Sequence, residues 1–290
     1  MRFGAIGVAE RDAETRLIPV GQIVLVAGAW IGGWAFQNTA RALRARGHDV
    51  YPVTLTGLGE RSHLARAEVD LDTHIADVVN LLRYEDLRRA MLVGHSYAGI
   101  VITGVADQAG DRLSALVYLD TAPSQNGQSH IDFYPRDVAE GMRRVVREQG
   151  DGWRLPFPGV ERLGPSPMLE GLGAEARAQL EARAVAQPFG SYLQPLRLHA
   201  KGGEYRRLVI ACNGFREVAA AQPQMAGFLT PEWRRYDLAT GHWPMLSAPE
   251  PLAELLDQAS RDRATPITTS SGTTSGFDNS SRGSQPHGKS

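Results

Sequence analysis

The fold of this chain is decided by the stretch MLVGHSYAGIV, residues 91–101. An apolar run ends at Gly94, a serine follows two residues later, and small residues lead into a segment of helical character. This order is typical of a nucleophile elbow, in which a strand turns sharply into a helix and exposes a serine hydroxyl at the tip. The stretch therefore predicts Ser96 as a catalytic nucleophile. The alternative is an ordinary turn rich in serine and glycine.

A catalytic serine needs an adjacent general base, which is itself oriented by a third group. After an elbow of this kind, the chain order is serine, then acid, then histidine. The histidine in the most suitable context is His242, because it lies in a loop after a short strand-like segment, between Gly241 and Pro244. We therefore predict His242 as the general base. His130 and His199 are expected to be structural or exposed.

Two carboxylates are candidates for the acid. Asp120 ends the apolar run 113–119, which is predicted to be a strand neighbouring the one before the serine. Glu217 is the only carboxylate in the loop after the predicted strand 207–212. A carboxylate at the carboxyl end of a parallel strand is well placed to orient a histidine. We prefer Asp120 and keep Glu217 as the alternative. Asp120 could instead be a cap of the following turn.

An acyl-transfer site also needs hydrogen-bond donors for the developing oxyanion. One predicted donor is the backbone N–H of Tyr97, the residue after the serine. The second is expected after the predicted buried strand 22–27, where the glycine-rich loop 28–34 lets the backbone approach a ligand closely. We predict the N–H of Ala29, with that of Trp30 as second choice, and Trp30 as a substrate-binding residue. A phosphate-binding loop is disfavoured, because the G-x-G-x-x-G spacing is missing.

The chain resembles the α/β-hydrolase superfamily, in particular its esterase and hydroxynitrile-lyase-like branch and its small bacterial serine hydrolases. The resemblance is carried, in the family's order, by VLVAGAW at 24–30, GHSYAG at 94–99, LVYLDTAP at 116–123 and TGHWPM at 240–245. It implies an α/β fold: a mostly parallel sheet with helices on both faces and a helical cap inserted after the sixth strand of the family's order. It also implies a carboxylesterase-like serine hydrolase with a small-molecule substrate and neither metal nor cofactor.

The sequence departs from the family's pattern at two positions. Ala27 stands where such proteins commonly have a histidine before the oxyanion-loop glycine, and Ala98 stands where the elbow has its second glycine. Both departures leave the backbone donors in place. A third residue bears on the reaction, since hydroxynitrile lyases of this branch place a lysine where this chain has Trp243. Epoxide hydrolases and dehalogenases are excluded because their nucleophile is an aspartate.

Composition and segment lengths predict one domain with an insertion. Residues 20–123 and 205–262 are predicted to form the hydrolase core, and 124–204, too long for a simple crossover and interrupted by prolines, the helical cap. More than half of the large apolar residues of that cap are expected to pack it onto the core. Residues 1–19 are predicted to be an extension or an edge strand. The segment 263–290, rich in serine, threonine and glycine, is expected to be a disordered tail.

Local signals predict several details of the helices. Gly47 follows an apolar helical pattern as a C-terminal cap. Thr73 is expected to cap a helix that runs to about Tyr84, with Asp77 in its first turn. His95, beside the nucleophile, is expected to pack under the elbow.

The overall composition is that of an ordinary globular enzyme. Of 290 residues, 42% are hydrophobic and 22% charged, and the net charge of −1 favours neither nucleic acid nor an anionic membrane surface as a partner. No stretch is long and apolar enough to span a membrane. The single cysteine, Cys212, cannot form an internal disulfide, so we expect a cytoplasmic location. The oligomeric state stays open.

The predicted constellation favours hydrolysis of a carboxylic ester or similar acyl group through an acyl-enzyme. Two alternatives stay open. One is a hydrolase of the same superfamily that cleaves a C–C bond or a lactone. The other is a non-catalytic small-molecule binder on the same fold, since fold does not fix function.

Overall fold

A computed structural model describes residues 21–163, 167–199, 202–215 and 233–262. The predictions made for residues 1–19, for the tail 263–290 and for Glu217 lie outside the described residues. Within the described ranges, every helix is too short or too polar to cross a bilayer.

Six strands form one parallel sheet, and two short strands form a separate antiparallel pair. In chain order the strands are β1 Gln22–Val26, β2 Asp49–Val53, β3 Ala90–His95, β4 Leu113–Leu119, β5 Arg154–Leu155, β6 Gln187–Pro188, β7 Arg206–Cys212 and β8 Arg234–Leu238. The parallel sheet has the strand order β2-β1-β3-β4-β7-β8, and β5 pairs with β6. The predicted mostly parallel sheet is therefore confirmed.

Helices cover both faces of the sheet. They are α1 Gln37–Ala45, α2 Leu71–Tyr84, α3 Ala98–Ala109, α4 Arg136–Gln149, α5 Ala174–Arg183, α6 Gly190–Leu193, α7 Pro244–Ser247 and α8 Pro249–Arg261. Successive residues of β1 alternate between two cores: Val24 packs with α2 and α3, and Leu25 packs with α1 and α8. Burial on both faces explains why the central strands have continuous apolar runs instead of alternating patterns.

The strand register brings the ends of neighbouring strands to one edge of the sheet. His95, the last residue of β3, pairs with Leu119, the last residue of β4. Leu119 in turn pairs with Ile210 of β7. The next residue of each of the first two strands, Ser96 and Asp120, consequently leaves the sheet at the same edge.

The segment between β4 and β7 contains α4 to α6, short 3₁₀ turns and the β5–β6 pair. We call residues 124–204 the insertion. The predicted helices are present. The sequence does not predict the β5–β6 pair, because strands of two residues are too short to show an alternation of apolar and polar side chains. The strand before the insertion is β4, the fourth strand among the described residues. It is the strand counted as the sixth in the family's order.

One predicted helix cap is wrong. The N-cap of α2 is Asp70, whose Oδ1 accepts hydrogen bonds from the backbone N–H and the hydroxyl of Thr73 at 2.9 and 2.7 Å. Asp77 lies beyond the first turn, and its carboxylate accepts the N–H of Thr56 at 2.7 Å. Asp70 has the extended backbone that an N-cap requires and precedes Thr73 by three residues, so its carboxylate can accept the free backbone N–H of Thr73 in the first turn. Gly47 follows α1 with φ +90°, as predicted for a C-terminal cap.

Candidate active site

Ser96 lies on a strained turn between β3 and α3. Its φ of +53° is in the left-handed region, which side chains other than glycine seldom adopt. The turn is tight: a Cβ on Gly94 would lie 2.8 Å from the carbonyl oxygen of Ala98. The Ser96 N–H donates to the carbonyl of Leu119 at 3.2 Å, which ties the turn to the neighbouring strand. This is the geometry of the predicted elbow.

The alanine at the second glycine position fits the turn. Ala98 is fully buried at the start of α3. The position that excludes a side chain is the next one, since a Cβ on Gly99 would lie 2.7 Å from the Thr121 hydroxyl. The departure from the G-x-S-x-G pattern therefore leaves the elbow intact.

The three residues predicted as a triad form one line of hydrogen bonds. His242 Nε2 lies 2.8 Å from Ser96 Oγ, and His242 Nδ1 lies 2.6 Å from Asp120 Oδ2. Nδ1–H donates to the carboxylate, so Nε2 is left as an acceptor for the serine proton. The carboxylate and the imidazole are largely buried, with 9% and 17% of their side chains exposed.

Asp120 is held by the strand on its other side. Its N–H donates to the carbonyl of Ile210 at 2.8 Å, and its Oδ1 accepts the N–H of Cys212 at 3.0 Å. Its φ of +50° shows a second strained residue at the same edge. Burial and the neighbouring carboxylate raise the pKa of the Cys212 thiol, which stays protonated and unreactive.

Hydrogen bonds from two parts of the molecule hold the backbone of the His242 loop. On the insertion side, the carbonyls of Met168 and Glu170 accept the N–H groups of His242 and Gly241 at 2.8 and 2.9 Å. From below, His95 Nε2–H donates to the carbonyl of His242 at 2.6 Å. Burial, above all, lowers the pKa of His95 well below 6.5, so its ring is a neutral donor. His95 is fully buried, as predicted, but its bond to the histidine loop was not foreseen.

Ala29 and Tyr97, the predicted oxyanion donors, flank the elbow. A Cβ on Gly28 would lie 3.0 Å from the Cβ of Ser96, so only glycine lets the loop approach this closely. The second choice, the N–H of Trp30, is wrong, because it donates to Gln187 Oε1 at 3.2 Å. The Trp30 ring packs edge-on against Phe157 and is partly exposed.

The side chain of Tyr97 is anchored below the site. His74 Nε2–H donates to the carbonyl of Thr56 at 2.9 Å, and His74 Nδ1 lies 2.8 Å from the Tyr97 hydroxyl. Burial lowers the pKa of His74, so the neutral ring accepts the tyrosine proton at Nδ1. His130 packs edge-on against the other side of the Tyr97 ring, and is structural as predicted. The described residues contain no cluster of His, Cys, Asp or Glu that could hold a metal.

Comparisons with known proteins agree with this geometry. The model of the alpha/beta hydrolase family matches residues 23–255. A carbendazim-hydrolysing esterase from Nocardioides sp. (strain SG-4G) is 34% identical over 251 residues, which cover 82% of this chain and 98% of the esterase. A pyrethroid hydrolase from Sphingobium wenxiniae is 28% identical over 82% of this chain and 86% of that enzyme.

Solved structures share the same fold. An extracellular α/β-hydrolase from a Paenibacillus species superimposes with a TM-score of 0.69 at 23% identity, over 83% of this chain and all of that protein. The pyrethroid hydrolase of Sphingobium faniae JZ-2 superimposes with a TM-score of 0.66 at 25% identity, over 83% of this chain and 97% of that enzyme.

Proposed function

The chain belongs to the α/β-hydrolase family, and we propose that it hydrolyses small carboxylic esters with Ser96, His242 and Asp120 as its catalytic triad. The observation that carries the proposal is the unbroken line of hydrogen bonds from Ser96 Oγ through His242 to Asp120, at 2.8 and 2.6 Å. Each residue type matches its part in the line: a nucleophile, a base that can also act as acid, and an orienting carboxylate.

The proposed reaction has two steps. In the first, Ser96 Oγ bonds to the acyl carbon while His242 Nε2 takes its proton, and the imidazolium then gives that proton to the leaving alcohol. In the second, His242 takes a proton from water, the hydroxide attacks the acyl-enzyme, and the carboxylic acid leaves as Ser96 regains its proton. Asp120 keeps the Nδ1–H tautomer and stabilises the imidazolium in both steps.

The oxyanion of each tetrahedral intermediate is proposed to bind the N–H groups of Ala29 and Tyr97. The amino end of α3 begins directly after Tyr97, and its dipole adds positive potential at the same place. Two donors aimed at a developing charge in a largely buried site stabilise the transition state more than the ground state. Trp30 is proposed as part of the substrate-binding wall.

The relatives direct the choice of test substrates. A first panel contains p-nitrophenyl esters of increasing acyl length, a lactone, carbendazim and a pyrethroid, because two relatives are named for the last two compounds. Turnover of the esters supports the proposal, while turnover confined to the lactone would favour the alternative reaction class.

The decisive experiment is intact mass after treatment with a fluorophosphonate. We expect a single adduct on the wild type, none on Ser96→Ala, and a loss of ester hydrolysis on the order of 10³-fold or more in that variant. Ser260→Ala, at a serine on α8 that bonds the carbonyl of Asp257, is the matched control and should behave as wild type. No adduct and no turnover, together with saturable binding of a small molecule, would show a binding protein instead.

A further inference from the structure

The β5–β6 pair and Val185, just before β6, hold Trp30 by three hydrogen bonds. The Trp30 indole N–H donates to the carbonyl of Leu155 on β5 at 3.1 Å. The Trp30 backbone N–H donates to Oε1 of Gln187 on β6 at 3.2 Å, and the Trp30 carbonyl accepts the N–H of Val185 at 2.8 Å. Leu155 and Gln187 are paired across the two strands. We call these three hydrogen bonds to Trp30 the clamp.

Trp30 needs such support, because its backbone is strained. Its φ of +65° lies in the left-handed region, which is unfavourable for a bulky side chain and persists only where the surroundings hold it. Ala29, with the first proposed oxyanion donor, lies between the end of β1 and this held residue. A change in the clamp would therefore move the Ala29 N–H.

Gln187 also contacts the segment that packs on the side chain of Tyr97, the residue with the second proposed donor. Its Nε2–H donates to the Ser191 hydroxyl at 2.8 Å, and that hydroxyl donates to the carbonyl of Pro188 at 2.6 Å. Tyr192, the residue after Ser191, stacks on the Tyr97 ring with 5.3 Å between centroids.

The Gln187 side chain thus links the Trp30 backbone to the segment that packs on Tyr97. It is completely buried, and each end of its amide has a partner. A buried amide is costly unless its bonds are made, so both partners are held in place by it. Its two bonds join the loop after β1 to the residues that pack on the elbow.

We propose that Gln187 is a positioning residue for the oxyanion hole, which fixes the Ala29 amide through Trp30 and, through Ser191, supports the packing of Tyr192 on Tyr97. The inference rests on the proposed function for its effect on catalysis, although the clamp itself is independent of it. Gln187 touches no reacting atom in this scheme. It acts by fixing the backbone donors where the negative charge develops.

The first test compares variants of two glutamines that each make two hydrogen bonds but hold different parts of the molecule: Gln187 is fully buried and Gln194 is partly exposed. Gln187→Met keeps the side-chain length and removes both bonds. Gln194→Met is the matched control, because Gln194 also makes two hydrogen bonds, both to Asp72 of α2. We expect Gln187→Met to lower kcat by about 10- to 100-fold with KM changed less than about threefold, since a small displacement of a catalytic group has effects of this size. Gln194→Met should stay within about twofold of wild type.

A trifluoromethyl ketone distinguishes positioning from general weakening of the fold. Ser96 Oγ adds to its carbonyl carbon while His242 Nε2 takes the serine proton, which gives a hemiketal oxyanion, so the affinity of the ketone depends on the same donors. In Gln187→Met that affinity should fall by the same factor as kcat/KM. If kcat falls but the affinity for the ketone does not, Gln187 has no role in the oxyanion hole.

Hydrogen exchange at the Trp30 amide tests the clamp without using activity. In Gln187→Met this amide should exchange at least tenfold faster than in wild type, and in Gln194→Met at the wild-type rate. Equal exchange in Gln187→Met and wild type would overturn the clamp. If the clamp is found but Ser96→Ala retains ester hydrolysis, the proposed function has failed and the positioning role fails with it.

Discussion

The sheet edge and the insertion both contact the active site, but they are built by different physical means. The sheet edge consists of the residues that follow β3, β4 and β8, and it presents Ser96, Asp120 and His242. Ser96 and Asp120 are set by strand register and by buried apolar packing on both faces of the sheet, whereas His242 lies in the loop after β8. The insertion supplies no member of the proposed triad. It holds the backbone of Trp30, Gly241 and His242 by hydrogen bonds.

This difference separates reactive groups from the groups that aim them. A parallel sheet places the ends of neighbouring strands at one edge and fixes the relative position of side chains there. It does not fix the loops that leave the edge, and those loops carry the proposed oxyanion donor and the imidazole. We infer that changes in the sheet edge abolish the reaction, whereas changes in the insertion lower it in smaller steps.

The largest expected effect comes from Asp120→Asn, in the sheet edge. The amide can still accept the Cys212 N–H, but it no longer holds the Nδ1–H tautomer of His242, so kcat should fall by about 10³- to 10⁴-fold. Steady-state kinetics with a p-nitrophenyl ester measures this loss of kcat. Asp107→Asn is the control, because Asp107 of α3 accepts the N–H of His199, away from the triad, and its replacement should have no effect on kcat. Activity within tenfold of wild type in Asp120→Asn would assign the acid to another carboxylate, and Glu217→Gln would then be the next variant.

A smaller effect is expected where the insertion meets the histidine loop. A Cβ on Gly241 would collide with the carbonyl oxygen of Met168 and would lie 2.7 Å from the N atom of Glu170, so Gly241→Ala must move backbone. We expect kcat to fall by about 10- to 100-fold and the free energy of unfolding by about 1–3 kcal/mol. Kinetics and denaturant unfolding measure the two effects.

The matched control is Gly141→Ala within α4. A Cβ there meets nothing within 4 Å. Replacing glycine by alanine in an open helical position stabilises by about 0.5–1 kcal/mol, and kcat should not change. If Gly241→Ala turns over ester at the wild-type rate, the contact between residues 168–170 and the histidine loop has no part in placing His242.

The sheet edge could be predicted from sequence because each of its parts leaves a local signal. The buried strands have continuous apolar runs, and the elbow has a serine among small residues directly after one of them. Asp120 was preferred over Glu217 because it ends such a run, and the structure puts its carboxylate 2.6 Å from His242. The order serine, acid, histidine then singled out one loop histidine.

The contacts of the insertion could not be predicted, because their partners are far apart in the chain. The bond between Trp30 and Gln187 joins residues 157 positions apart, and neither residue type indicates the other. The carbonyls of Met168 and Glu170 act through backbone, so their side chains carry no signal at all. The wrong second choice of oxyanion donor has the same origin, since the N–H of Trp30 is used by a glutamine in the insertion.

The last prediction concerns His130, where the insertion packs on the elbow residue. Its ring lies 5.1 Å from that of Tyr97 and 4.5 Å from that of Tyr192, between centroids, and its Nε2 is 3.4 Å from the Tyr134 hydroxyl. Phe133 completes the surrounding ring of aromatic residues. Burial lowers the pKa of His130 from 6.5 to about 3, because a charge on the ring would lose its contact with water.

The sign of the pH effect follows from this lowered pKa. The folded state binds fewer protons than the unfolded state between pH 6.5 and 3, so the contribution is fully present above pH 6.5 and is lost as the pH falls. At pH 4.5 the loss is about 3 kcal/mol relative to pH 7.5.

His130→Phe should therefore show a smaller drop in unfolding free energy between these pH values than the wild type. Val146→Ala, a buried apolar residue of the insertion, should lower stability equally at both. An equal drop in His130→Phe and wild type would show that protonation of His130 does not cause the loss of stability in acid.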